Sequence, residues 1–247
     1  MVTRPVFSPH KDSIGVEEFQ SPPFLWSGGF ALSQKQKNVI ALHNAIRESD
    51  PRRTPLEVSS KSTEEIGCRL SAFNLGFETD DGRYSVESVF QGSKVFEGDK
   101  GPYTELYPKH PAEARAFIHN NCNSKLLRFQ FEGVDWELKP TRAFYDWIYC
   151  RALRNNSEYV EELKNYDCFT DIEFNPAKSL NCQAYAVSLY LSLESAGCLD
   201  AALSSKDEFL KVHPKDVISH VATNSVRSNG GRRKQESQYR QEEFDFK

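Results

Sequence analysis

Within LSAFNLGFETDDGRYSVESVFQGSK (70–94) the chain changes its period, and that change limits the folds open to it. Residues 70–79 read as a strand, Asp80, Asp81 and Gly82 as a tight turn, and the chain returns through Tyr84. Ser85 then has the form of an N-cap, and Val86, Val89 and Phe90 follow at helical spacing, with Gly92 a weak interior point. A hairpin that runs straight into a helix calls for an α+β fold. On that helix Glu87, Gln91 and Lys94 fall within about 60° of one another, beside the apolar face. A stripe in that position is either a solvated flank or the wall of a polar pocket.

The remaining segments fit a helix-rich single α+β domain with a few short antiparallel strands and hairpins. Residues 1–33 hold RPVF and SPPFLWSGGF and read as an extended arm packed on the domain through Phe24, Trp26 and Phe30. The domain itself is expected over 34–225. Ser33 precedes a helix over 34–48 with Val39, Leu42 and Ile46 on one face, ended by Asp50-Pro51. LEVSS (56–60) reads as a strand, 112–120 as a short helix, and 125–139 as a hairpin turning at Glu132-Gly133. Helices are expected over 141–155, 157–166 and 181–196, with a further short one in 198–212. From 226 to 247 the chain is polar and partly basic. It reads as a disordered tail, either simply solvated or an arm for DNA or a partner.

Several function classes find no support. The 247 residues carry a formal net charge of −4, so nothing global favours nucleic acid, although a local basic groove is compatible with it. The six cysteines form no C-x-x-C pair and lack structural zinc spacings, so reduced thiols and no metal are expected. The N-terminus MVTRPVFSPH has no apolar core of a signal peptide and no run is long enough to span a bilayer. A cytoplasmic protein with no membrane contact is expected. The histidines show no H-E-x-x-H or serine-elbow context, and both glycine-rich phosphate loops are missing. No cofactor is called for.

Beyond the stripe, two loops and an aromatic set could carry chemistry. EGDKGPYTELYPKHP (97–111), dense in Gly, Pro and Tyr, is a candidate binding loop. DCFTDIEFNPAKSLN (167–181) could hold the hydroxyls of a sugar or serve only as caps and Asx turns. Trp136, Phe144, Tyr145 and Trp147 read first as core, Trp136 being the least core-like. The N-terminal amides of the 86–92 helix also lie where they could meet an anion.

SVESVFQGSK resembles the S-x-E-h-x-F-Q-x-x-K signature of the NADAR (YbiA-like) superfamily, and LSAFNLGFETDDGRYS resembles the family's approach to it. EVSSKSTEEIGCRLSAFNLGF, VESVFQGSKVFEGDKGPYTELY, TRAFYDWIYCRAL and DCFTDIEFNPAKSLNCQAY are similar to the NADAR antitoxins paired with DarT-type toxins. GFALSQKQKNVIALH fits the same subgroup, and the resemblance spans about residues 4–195. It implies removal of ADP-ribose from DNA bases, guanine foremost, with ADP-ribosylated DNA as substrate and a DarT-type toxin as a candidate partner.

Carried onto this sequence, the resemblance implies catalytic Glu87 and Lys94, with Gln91 beside them. The family's S-N-F is here Ser71-Ala72-Phe73, which shifts any role of that asparagine to Asn74. The acidic loop would contribute Asp171 and Asn181, with Phe169 in place of the family's tryptophan. Lys100, Tyr103 and Thr104 are the expected diphosphate contacts, and Trp136 an expected stacking partner. Splitting a ribose–nitrogen bond builds positive charge at C1, which a carboxylate such as Glu87 stabilises. Lys94 is left between holding phosphate and attacking the opened sugar as an amine. Competing readings are an N-glycosidase of phosphorylated ribosyl intermediates of riboflavin synthesis, a toxin-sequestering antitoxin without catalysis, and a plain ADP-ribose-binding module.

Overall fold

The structure, a computed structural model, describes residues 1–79, 82–175 and 181–214. The turn residues Asp80 and Asp81, the segment 176–180 and the expected tail lie outside the described residues.

Two long apolar helices dominate the core. α5 (Ala143–Arg154) and α7 (Gln183–Ser195) are buried on nearly all sides, as a helix without a polar face must be. Phe7, Leu56, Val86, Val89, Phe169 and Phe209 pack into the same core. Around it lie three small sheets. The largest has the order β2 (Val16–Gln20), β1 (Pro5–Pro9), β9 (Cys168–Thr170), β3 (Pro55–Glu57). Its β3–β9 pair is parallel, and the other pairs are antiparallel. A hairpin joins β4 (Gly76–Thr79) to β5 (Gly82–Ser85), and β6 (Lys94–Phe96), β7 (Leu126–Phe131) and β8 (Val134–Glu137) form an antiparallel meander. The fold is α+β, as the sequence pattern requires.

α1 (Leu32–Ser49) buries Val39, Leu42 and Ile46 against Val6, Phe24 and Cys168. It begins earlier than expected: Ala31 is the N-cap, so Ser33 lies inside the first turn. The N-terminal segment enters the sheet itself, with β1 between β2 and β9. Phe24 is buried and Trp26 half-buried, whereas Phe30 is 83% exposed rather than packed on the domain among the described residues. The long strand expected over 70–79 is shorter, because α2 (Glu65–Arg69) and a turn through Ser71–Asn74 precede β4. Helices α3 (Val86–Gly92), α4 (Pro111–Asn121) and α6 (Ser157–Leu163) fall near their expected places. The 198–212 region divides into α8 (Leu199–Leu203) and α9 (Lys206–Val212). Among the described residues no helix is long and apolar enough to cross a membrane.

Candidate active site

α3 starts where the sequence places its cap: the Ser85 hydroxyl accepts the Ser88 N–H at 3.0 Å. Its other leading amides are already used, Val86 N–H by the Leu75 carbonyl and Glu87 N–H by that of Ala72, both at 2.9 Å. They are not available to an anion. The helix ends at Gly92, with Ser93 as C-cap, so Lys94 belongs to β6 rather than to a second turn. A Cβ on Gly92 would stand 2.7 Å from the Tyr103 carbonyl oxygen and from the Tyr107 ring. That absence lets the 97–111 loop pack directly on α3, and the Tyr103 N–H bonds the Gly92 carbonyl at 2.6 Å.

The turn from helix to strand keeps the stripe together. Gln91 Nε2 donates to Glu87 Oε1 at 2.9 Å, and Lys94 Nζ donates to Gln91 Oε1 at 2.7 Å. From α4, Arg115 donates to the same Glu87 oxygen through Nε at 2.9 Å and Nη2 at 2.8 Å. The two charged neighbours fix which way the Gln91 amide faces. Its two polar atoms are spent on positioning. Glu87, Gln91 and Lys94 are all buried, and burial brings the Lys94 ammonium down to about 8, the nearby Glu87 charge opposing the shift.

This chain of bonds lines a cavity of about 620 Å³, within the usual range for nucleotide-sized ligands. Ser71, Asp171 and Asn181 line it too, as do Phe73, Phe90, Tyr145 and Phe174. Asp171 Oδ1 accepts the N–H groups of Glu173 and Phe174, both at 3.1 Å, and its Oδ2 accepts Gln183 Nε2 at 3.1 Å. Gln183 Oε1 in turn accepts the Ala72 N–H at 2.6 Å. The start of α7 is thereby tied to the segment preceding Glu87.

Behind this wall Glu57 is wholly buried at the end of β3. It accepts the Ser59 and Thr170 hydroxyls at 2.6 and 2.7 Å and the Ile172 N–H at 2.8 Å. His43 of α1 reaches the same Thr170 hydroxyl at 3.0 Å. Burial raises the carboxyls of Glu57 and Asp171, and the proximity of Asp171 pushes Glu57 further up.

Other expected contacts lie elsewhere. Trp136 is 1% exposed and packs among Phe144, Trp147 and Phe209, because its strand turns that face inward; it borders a separate cavity of about 440 Å³. Phe169 is fully buried on β9, in the middle of the largest sheet. Asn74 is exposed, its amide donating to the Cys68 carbonyl at 2.8 Å. Lys100, Tyr103 and Thr104 do not line the large cavity, since their loop packs outward against α3 and α4. The Tyr103 hydroxyl accepts the Cys122 thiol at 3.3 Å and its ring meets Phe117 edge-on. Among the described residues no cluster of ligands could hold a metal.

Arg115, Lys61, His119 and Gln183 line the cavity without any sequence signal of their own. Arg115 lies on an ordinary short helix, and only the packing of α4 on α3 brings it to Glu87.

Comparison with curated proteins gives no match. A family model described as the DarT1-associated NADAR antitoxin matches residues 2–223. With nearly all of the sequence spanned by that match, the chain belongs to the family of DarT1-associated NADAR antitoxins.

Proposed function

We propose that this antitoxin is an enzyme, an ADP-ribosyl glycohydrolase that removes ADP-ribose from DNA bases, guanine above all, and so reverses a DarT-type toxin. The observation that carries the reading is the bonded chain Arg115–Glu87–Gln91–Lys94 on the wall of a nucleotide-sized cavity. It brings a buried carboxylate and a buried amine to one stretch of the cavity wall.

In the proposed reaction the bond from ribose C1 to the base nitrogen breaks, and its electron pair leaves with the base, which takes up a proton. Positive charge develops on C1 and the ring oxygen. Glu87 faces that charge in a water-poor site where a carboxylate counts for more than in bulk solvent. Water adds to C1 and gives up a proton. Lys94, held near 8, is partly neutral at physiological pH and is suited to receive that proton. The match to an antitoxin family argues against the ribosyl-metabolite reading, and a purely sequestering antitoxin has no use for a buried amine–carboxylate chain on a cavity wall.

The test is release of ADP-ribose from a guanine-ADP-ribosylated oligonucleotide by the wild type, Glu87→Ala and Lys94→Ala, with circular dichroism as a fold control. Fast release that disappears in Glu87→Ala is the expected result. Equal release by all three removes Glu87 from the mechanism. No release by the wild type, with protection of toxin-expressing cells retained, turns the reading to sequestration.

A further inference from the structure

The charges around the large cavity are unequally committed. Lys94 is bonded to Gln91 and Arg115 to Glu87. On the acidic side Glu173 is paired with Lys35 at 2.8 Å, and Asp171 is occupied by Gln183 and backbone amides. Lys61 differs. Its ammonium donates to the Ser60 hydroxyl at 3.0 Å, and among the described residues no carboxylate lies within 4.0 Å of it. His119, one turn beyond Arg115 on α4, also borders the cavity, and its ring has no hydrogen-bond partner among the described residues.

Lys61 is not an ordinary surface lysine on a loose loop. The Ser59 hydroxyl donates to buried Glu57 at 2.6 Å and accepts the Lys61 N–H at 3.1 Å, while the Ser62 N–H bonds the Ser59 carbonyl at 3.0 Å. The loop is thus anchored from beneath, and Lys61 is half-buried. Because the Ser60 oxygen accepts from Lys61, its own O–H stays free to donate. A cation, a hydroxyl and an imidazole without a countercharge on a cavity wall are suited to phosphate oxygens.

We propose that Lys61, with Ser60 and His119, grips the diphosphate of the substrate while Glu87 and Lys94 act at its ribose. This rests on the glycohydrolase reading and gives the substrate's anionic portion a location that the 97–111 loop does not supply. DNA backbone phosphate shares the same chemistry, so the test separates the two sources.

The experiment is calorimetric titration of the full chain with three probes: free ADP-ribose, adenosine, and an unmodified single-stranded oligonucleotide. Lys61→Ala is expected to weaken ADP-ribose binding about tenfold or more, the loss of one charge-assisted hydrogen bond. Adenosine binding stays unchanged, and Lys61→Arg restores most of the ADP-ribose affinity. Unaltered ADP-ribose affinity in both Lys61→Ala and His119→Ala overturns the inference while leaving the glycohydrolase reading intact. Weakening confined to the oligonucleotide overturns it in favour of backbone contact. A wild type that binds no ADP-ribose overturns both, whereas one that binds it through Lys61 but never cleaves modified DNA supports the grip and overturns only the proposed reaction.

Discussion

Arg115 and Glu87, 28 residues apart in sequence, meet at 2.8 Å on the cavity wall. Both the guanidinium Nε and Nη2 reach the single oxygen Oε1, which holds the carboxylate in one orientation. The Arg115 side chain remains about one-third exposed, and its guanidinium also covers the Phe73 ring at 4.9 Å. Arg115→Ala is expected to lower the single-turnover rate of ADP-ribose release roughly 10- to 100-fold, by loss of a charged hydrogen bond at a reacting group. The melting temperature should stay within a few degrees of the wild type. An unchanged rate would show that Glu87 needs no partner from α4.

Burial holds Lys94 at about 8, well below an ordinary lysine. If its neutral amine takes part in the reaction, the rate should rise with pH and level off above about 8. Lys94→Ala should remove that limb together with most of the activity. Lys94→Arg, which stays charged, should be as inactive as the alanine variant. Rates of the wild type that are flat from pH 6 to 9 would leave Lys94 a purely electrostatic role.

What was legible in the sequence divides along a physical line. The Ser85 cap, the apolar runs of α5 and α7 and the turn at Glu132-Gly133 depend on neighbours within a few residues, so hydropathy, capping and turn chemistry expose them. The stripe Glu87/Gln91/Lys94 was visible for the same reason, although Lys94 joins it from a strand. Its reading as an active site comes from family resemblance, since spacing alone favours a solvated flank. Arg115, Lys61 and His119 could not be found this way, because their place depends on how α4 and the β3 loop pack across the cavity. The 97–111 loop looked like a binding loop from its composition. The close approach at Gly92 turns it onto α3 instead.

Trp136 tests that distinction directly. As a stacking platform it would matter to substrate binding; as a residue 1% exposed among Phe144, Trp147 and Phe209 it matters to the fold. Trp136→Ala should cost about 3–5 kcal/mol of stability in chemical denaturation. The surviving folded fraction, measured below its melting temperature, should keep the wild-type KM for modified DNA. A raised KM with unchanged stability would return Trp136 to the substrate.

Glu57 makes the last prediction, and its sign follows from burial. Its carboxyl and that of Asp171 are raised above their ordinary values, chiefly by desolvation. The folded chain therefore holds protons that the unfolded chain has released once pH exceeds the ordinary carboxylate range. The stability this contributes is present at low pH and is lost as pH rises through the raised values. Glu57→Gln should flatten that part of the pH dependence. The change can be accommodated: the amide oxygen keeps the bonds from Ser59 and Ile172, and the Thr170 hydroxyl can turn to accept the new N–H while donating to His43. Glu57→Ala has no such escape, because it leaves the buried Ser59 hydroxyl and Ile172 N–H without their acceptor and should cost roughly 3 kcal/mol or more. Thermal unfolding at pH 5.5 and 8, as working conditions of about that spacing, reads both effects. A Gln variant as pH-sensitive as the wild type would show that Glu57 is ionised in the fold across the whole range.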